Sequence, residues 1–188
     1  MADINNFIPF LIYWETSVKD SDLSNEQLFA KAKTRGVTTD SYDRGGATLV
    51  GVTVGTYSDY YKRKRLPNPS SGSSLLDLSY QQWLDILKTM FWDRWQADKI
   101  IDQRIAHMLV DWVWMSGAYG VTIPQRVLGV KADGIVGEKT LAAVNSRDPQ
   151  EFFLLLKRER IAHIDSICKS RPANLRFRTG WLRRINAL

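Results

Sequence analysis

Residues 43–53 read DRGGATLVGVT, a stretch that departs from the helical spacing of the segments around it in this chain of 188 residues. Its β-branched residues gather around the Gly45-Gly46 pair, and the wider segment from Val37 to Val54 reads as a short, irregular β-hairpin. Glycine in such a turn lets the backbone pass close to a ligand, so the polar groups of Asp43 and Thr48 come within reach of chemistry. Apolar residues on either side recur every three or four positions. The fold class is therefore mainly α, with one small β-hairpin or irregular β insert.

Upstream, Ile4, Phe7, Ile8, Leu11 and Glu15 stand at i, i+3, i+4, i+7 and i+11, which puts Glu15 on an apolar helix face. A second helix is predicted from about Ser24 to Arg35, with Leu28, Phe29 and Ala32 inside and Gly36 as its stop. Downstream, a helix over Thr56 to Arg65 precedes LPNPSSGSS, residues 66–74, which reads as an exposed loop. Ser79 and Gln82 form a capping box ahead of Trp83, Leu84, Leu87, Met90 and Phe91. The next helix, from about Lys99 to Met115, is expected to bury Ile101, Ile105, Met108, Leu109 and Trp112. Turns at Asp133-Gly134 and Gly137 flank a short helix ending near Asn145, and Asp148-Pro149 with Glu151 opens a last long helix.

The formal net charge of +6 and pI near 9.5 favour a polyanionic partner: nucleic acid, an anionic membrane or a cell wall. A single cysteine, Cys168, excludes an internal disulfide. The only histidines, His107 and His163, are too far apart to signal a metal site, and no metal or cofactor is assigned. No phosphate-binding glycine loop, Ser-His-Asp arrangement or nucleic-acid reader module is evident, and the basic run Lys62 to Arg65 reads first as a solvated helix face. MADINNFIPFLIYWE lacks the basic start and cleavage site of a secretory signal, and no apolar run has membrane-spanning length. The expectation is a chain that is soluble and cytoplasmic when made.

A glycosidic bond is hydrolysed when a carboxylic acid protonates the leaving oxygen, which requires surroundings that disfavour its ionised form. Glu15, beside Trp14 and Leu11, meets that demand on an apolar face, although its position alone reads first as a solvated helix end. A helix-borne Glu15 facing a turn with Asp43 and Thr48 resembles the lysozyme superfamily. The series Glu15, Asp43-Arg44-Gly45-Gly46-Ala47-Thr48 and Gly51 more closely resembles glycoside hydrolase family 108, the N-acetylmuramidases. Phe91-Trp92-Asp93-Arg94-Trp95, the segment Asp111 to Gly117, DGIVGEKTL at 133–141 and Phe177 to Arg184 continue that resemblance over most of the chain.

The resemblance implies a lysozyme-like helical fold, with a catalytic region at residues 1–97 and a helical, predicted peptidoglycan-binding region at 98–188 packed against it. It implies cleavage of the β-1,4 bond between N-acetylmuramic acid and N-acetylglucosamine, with Glu15 as the acid. Asp43 would activate water or stabilise the transition state, or serve only as a turn residue; Thr48 would hold the water, or only the hairpin. Tyr57 and Tyr60, just beyond the glycine turn, are the candidates for sugar contact. Peptidoglycan is the implied partner, with no specific nucleic acid. The family fits phage or prophage lysis proteins that reach the wall by release or specialised export. Two departures stand out. Glu15-Thr16-Ser17 replaces the family's Glu-Gly-Gly, and Met115 replaces an Asn before Ser116-Gly117, which motivates the alternative of a non-catalytic wall-binding or secretion-associated protein. A basic nucleic-acid-binding protein is a more distant alternative.

Overall fold

The computed structural model describes residues 1–38, 47–67 and 72–188. Asp43, the Gly45-Gly46 pair and residues 68–71 of the expected loop lie outside the described residues. The chain divides into two compact units, Ile4–Met90 and Phe91–Leu188, the second including Met1–Asp3. Both are mainly helical, and the described strands form one two-stranded hairpin. Among the described residues no helix is long and apolar enough to cross a membrane.

In the unit Ile4–Met90, α1 (Ile8–Thr16) carries Pro9 in its first turn, where a missing N–H leaves no helix bond unmade. Phe7, Ile8, Leu11 and Ile12 are fully buried, so the stripe that leads to Glu15 is the core face. Ser17 ends α1 in the left-handed region, φ 59°, and its N–H donates to Tyr13 O at 2.7 Å. Helix α2 (Asn25–Lys33) opens on a reciprocal capping box between Ser24 and Gln27, and α4 (Tyr80–Leu87) on the one predicted between Ser79 and Gln82. Phe29 from α2 meets Trp83 from α4 with ring centroids 5.4 Å apart.

Between these helices lie β1 (Thr48–Leu49), β2 (Val52–Thr53) and α3 (Val54–Lys64). The strands pair antiparallel, Thr48 with Thr53 and Leu49 with Val52, and Thr38 bridges to Thr48 through two 2.9 Å backbone bonds. Thr53 also caps α3, its hydroxyl accepting from Thr56 N–H at 3.0 Å. Residues 72–77, partly inside the expected loop, form a 3-10 turn instead, because Leu75 and Leu78 are fully buried and draw that segment onto the core.

The second unit is built on α5 (Gln103–Ser116), whose Ala106, Met108, Leu109, Val110, Trp112 and Val113 are completely enclosed. The helix starts later than its apolar spacing predicts. Asp102 accepts from the N–H groups of Arg104 and Ile105, so Ile101 precedes the cap and is 65% exposed rather than buried. Helix α6 (Tyr119–Leu128) crosses α5 at Gly120, where an added Cβ would lie 2.4 Å from Val113 N. After α7 (Glu138–Asn145), α8 (Pro149–Ser170) starts at the Asp148-Pro149 cap, as expected. The final helical region is not continuous: Pro172 cannot extend α8, and α9 (Leu175–Asn186) follows as a separate helix.

An ion triad fastens α5, α8 and α9 together. Asp111, fully buried, accepts from Arg160 at 2.6 Å and from Arg184 at 2.9 and 2.7 Å. Burial opposes ionisation of Asp111, but Arg184 and then Arg160 outweigh it and hold the carboxyl below its ordinary range. One turn earlier on α5, the Gln103 amide donates to His107 Nε2 at 2.7 Å, which requires that nitrogen to be unprotonated. Burial pushes the His107 pKa down to about 4, only partly opposed by Asp111 and Asp102.

Two measurements follow from these features. A histidine whose folded pKa lies below its unfolded value contributes stability that is complete above about pH 6.5 and is lost as pH falls towards the folded pKa of about 4. Urea unfolding should therefore weaken across that window by roughly 3 kcal/mol from His107. His107→Gln should flatten much of the slope; His163, depressed in the same direction, retains the rest. An unchanged slope in His107→Gln would refute this assignment. Separately, Ser17→Gly relieves a left-handed backbone and should stabilise the protein by about 1 kcal/mol, read as a rise of about 2–4 °C in Tm.

Candidate active site

The unit Ile4–Met90 brings Glu15 directly onto the hairpin turn. A two-residue antiparallel turn of type I′ needs positive φ at both central residues, and Val50 (φ 45°) and Gly51 (φ 76°) supply it. The β1–β2 hairpin turns at Val50-Gly51; the turn expected at Gly45-Gly46 lies outside the described residues. Valine is a poor guide because a β-branched residue rarely adopts positive φ. Here the conformation is held by its surroundings: the Val50 side chain is buried, and the Trp83 indole donates to Val50 O at 3.0 Å. Backbone held in a sparsely populated region in this way is most often found at working sites.

Gly51 carries a second constraint. A Cβ built there would stand 2.6 Å from Glu15 Cγ, 2.7 Å from Cδ and 2.8 Å from Oε2. The carboxyl arm of Glu15 thus lies against the glycine α-carbon, a separation only glycine permits. Glu15 is half-buried at the last turn of α1, and the chain beyond it is fixed by Ser17. Thr16 assists: its hydroxyl donates to Ile12 O at 2.7 Å and accepts from Val18 N–H at 3.3 Å. Ser17 adopts a left-handed conformation that a glycine would take without strain.

Thr48 stands on β1 of the same hairpin, half-buried, with its backbone N–H and C=O both engaged by Thr38. It belongs to the structural element that faces Glu15; Asp43, outside the described residues, does not enter this geometry. Tyr57 and Tyr60 lie inside α3's packed face, at 2% and 6% exposure, rather than open to solvent. The Tyr57 hydroxyl shares a 3.0 Å bond with Tyr61, and the Tyr60 hydroxyl donates to Asp85 at 2.8 Å. Burial, and then the Asp85 carboxylate, push the Tyr60 phenol up to about 12. The half-buried ring in this row is Tyr61, whose hydroxyl also accepts from Gln82 at 3.2 Å. Its position one step beyond Tyr60 on α3 was the only sequence signal available. The basic run is partly neutralised, with Lys64 2.7 Å from Asp85 and Lys62 3.4 Å from Asp59.

The segments named from the sequence in the second unit hold structure. Asp111 anchors the buried triad, Gly117 ends α5 at φ 55°, and Asp133-Gly134 turns under Gln125, which accepts from Gly134 N–H at 2.8 Å. Met115, 37% exposed, lines a cavity in this unit.

Residues 32–117 match the glycosyl hydrolase 108 family, and residues 119–186 match the predicted peptidoglycan domain. Glu15 lies upstream of the first match, so its assignment stands on the geometry above. A solved structure of SagA from Brucella abortus is 28% identical, with a TM-score of 0.70 over 86% of this chain and 91% of that one. No curated protein matches the chain. The fold is lysozyme-like and mainly α, and the order of the two matched regions is the order of the sequence motifs. The chain thus carries a region similar to the glycosyl hydrolase 108 family followed by a predicted peptidoglycan domain, and the two together support a peptidoglycan hydrolase.

Proposed function

We propose that this enzyme cleaves the β-1,4 bond between N-acetylmuramic acid and N-acetylglucosamine, with Glu15 as the proton donor. The observation that carries the reading is the placement of the Glu15 carboxyl arm on Gly51, at the tip of a strained and anchored hairpin. A carboxyl fixed in this way is held in one orientation before substrate arrives, and orientation is where much of the rate advantage of an acid catalyst originates. Glu15 protonates the glycosidic oxygen as the bond to the anomeric carbon breaks, and water attacks that carbon. Asp43 activates this water or stabilises the oxocarbenium-like charge, and Thr48 holds the water from β1. Tyr57 and Tyr60 act from within α3 as the packed support of the sugar site, leaving direct sugar contact to Tyr61. No metal or other cofactor enters these steps. The enzyme meets its substrate after release through a membrane lesion or by specialised export, as phage and prophage lysis proteins do.

Mass spectrometry of digested peptidoglycan tests the bond: new reducing ends should be N-acetylmuramic acid, and reducing N-acetylglucosamine would assign the other bond. Intact glycan strands with retained wall binding would favour the non-catalytic reading instead. Glu15→Gln preserves size and hydrogen bonding, so it should fold, bind wall material and lose roughly 100-fold to 10,000-fold in kcat. Near-normal turnover in that variant, with Asp43→Asn inactive, would move the acid away from Glu15. Gly51→Ala must displace the Glu15 arm while leaving every carboxylate in place. It should lower kcat about 10-fold to 100-fold and cost about 1–2 kcal/mol of stability.

A further inference from the structure

The second unit carries a partly open cavity of about 260 Å³, walled by Trp112, Arg160, His163, Ile164, Trp181 and Arg184 among others. Its polar groups are incompletely matched. Trp112 is fully buried, and its Nε1–H has no acceptor among the described residues; the buried Nε2 of His163 has no hydrogen-bond partner there either. Arg160, 3% exposed, gives Nη2 to Asp111 at 2.6 Å, while its Nη1 meets only the Met108 thioether at 3.6 Å, a weak acceptor. Buried polar nitrogens are nearly always satisfied, so the two unpartnered ones, with the weakly matched Arg160 Nη1 beside them, call for a polar occupant.

The chemistry of that acceptor is narrow. An indole N–H and a guanidinium N–H can only donate, and an imidazole carrying its proton on Nε2 donates as well. A cation is opposed by Arg160, and a hydrocarbon would leave the donors unmatched. A carboxylate offers two oxygens with about four acceptor positions and a negative charge for the guanidinium. Ile164 and the Trp181 ring supply an apolar wall for the remainder of the molecule.

We propose that this cavity binds a carboxylate on a short apolar body, distinct in place and role from the Glu15 site. Its source in the wall, which rests on the peptidoglycan reading, is either the terminal carboxylate of a stem peptide or the lactyl carboxylate of peptide-free muramic acid. Both present the same group to Trp112 and Arg160. Occupancy would hold wall material on the carboxy-terminal unit whether or not a glycosidic bond is being cut.

The test is a titration of the ¹⁵N-labelled full chain with N-acetyl-D-alanyl-D-alanine, its C-terminal amide, N-acetylmuramic acid and inorganic phosphate. The indole N–H signal of Trp112, identified by its loss in Trp112→Phe, should shift saturably with at least one of the two carboxylates. The better of them should bind at least tenfold more tightly than the amide, and which one binds better identifies the source. If Trp112→Phe does not fold, His163→Leu serves. Its ring lies 6.3 Å from that of Trp112, so the same signal moves, and carboxylate affinity should fall at least tenfold. Equal binding of acid and amide, tighter binding of phosphate, or an unmoved Trp112 signal would overturn the proposal. None of these readouts depends on turnover. A chain that cuts walls without carboxylate binding defeats the cavity assignment alone, and one that binds carboxylate without cutting defeats the Glu15 reading alone.

Discussion

The constraint on which the unit Ile4–Met90 depends is the contact between Glu15 and the α-carbon of Gly51. It ties the end of an apolar helix to the tip of a hairpin, two elements separated by more than thirty residues of chain, and it leaves no room for a side chain at Gly51. Several local features serve it. The buried stripe Phe7, Ile8, Leu11 and Ile12 fixes the axis of α1 and therefore where Glu15 emerges. Leu49 and Val52, both fully buried, fix the face of the hairpin, and the Trp83 indole holds the Val50 carbonyl. The left-handed Val50 costs about 1–2 kcal/mol on its own, and burial of its side chain offsets part of that.

The second unit is organised by a different balance. Asp111 sits where an isolated carboxylate would be strongly disfavoured, and two guanidiniums from α8 and α9 make its ionised form the stable one. Such a triad is weak as a source of stability compared with apolar packing, yet removing one partner leaves an uncompensated buried charge. It therefore fixes which helices may pack on α5. The same Arg160 that completes the triad also faces the cavity, so the group that orders the helices is positioned for an anion.

Much of this was legible in the sequence because local rules and tertiary packing agree. The helix start near Ser24, the capping box at Ser79, the Asp148-Pro149 start of α8 and the apolar face that ends at Glu15 each have a short-range cause. What was not legible depends on distant partners. Val50 in a turn contradicts its own propensity and is explained only by Trp83, thirty-three residues away. Ile101 fits the apolar spacing of α5, but the Asp102 cap begins the helix after it. Tyr57 and Tyr60 sit next to the turn in sequence, yet helical rotation carries both rings into the packed face and leaves Tyr61 the more open one. The division of the last helical region at Pro172 was written in the sequence and is a matter of weighting that residue against strong helical spacing.

The replacement of Glu-Gly-Gly by Glu15-Thr16-Ser17 bears on whether this chain should be catalytically competent. A glycine in the second of those positions would be favoured because the backbone there is left-handed, and Ser17 adopts that same backbone at φ 59°. The Thr16 hydroxyl bonds to Ile12 O and Val18 N–H, adding two local restraints that a glycine could not supply. The departure thus exchanges conformational ease for side-chain bracing where the chain leaves α1. The orientation of the Glu15 carboxyl depends on where α1 ends and on Gly51, so the Ser17 turn and the bare Gly51 α-carbon together set it.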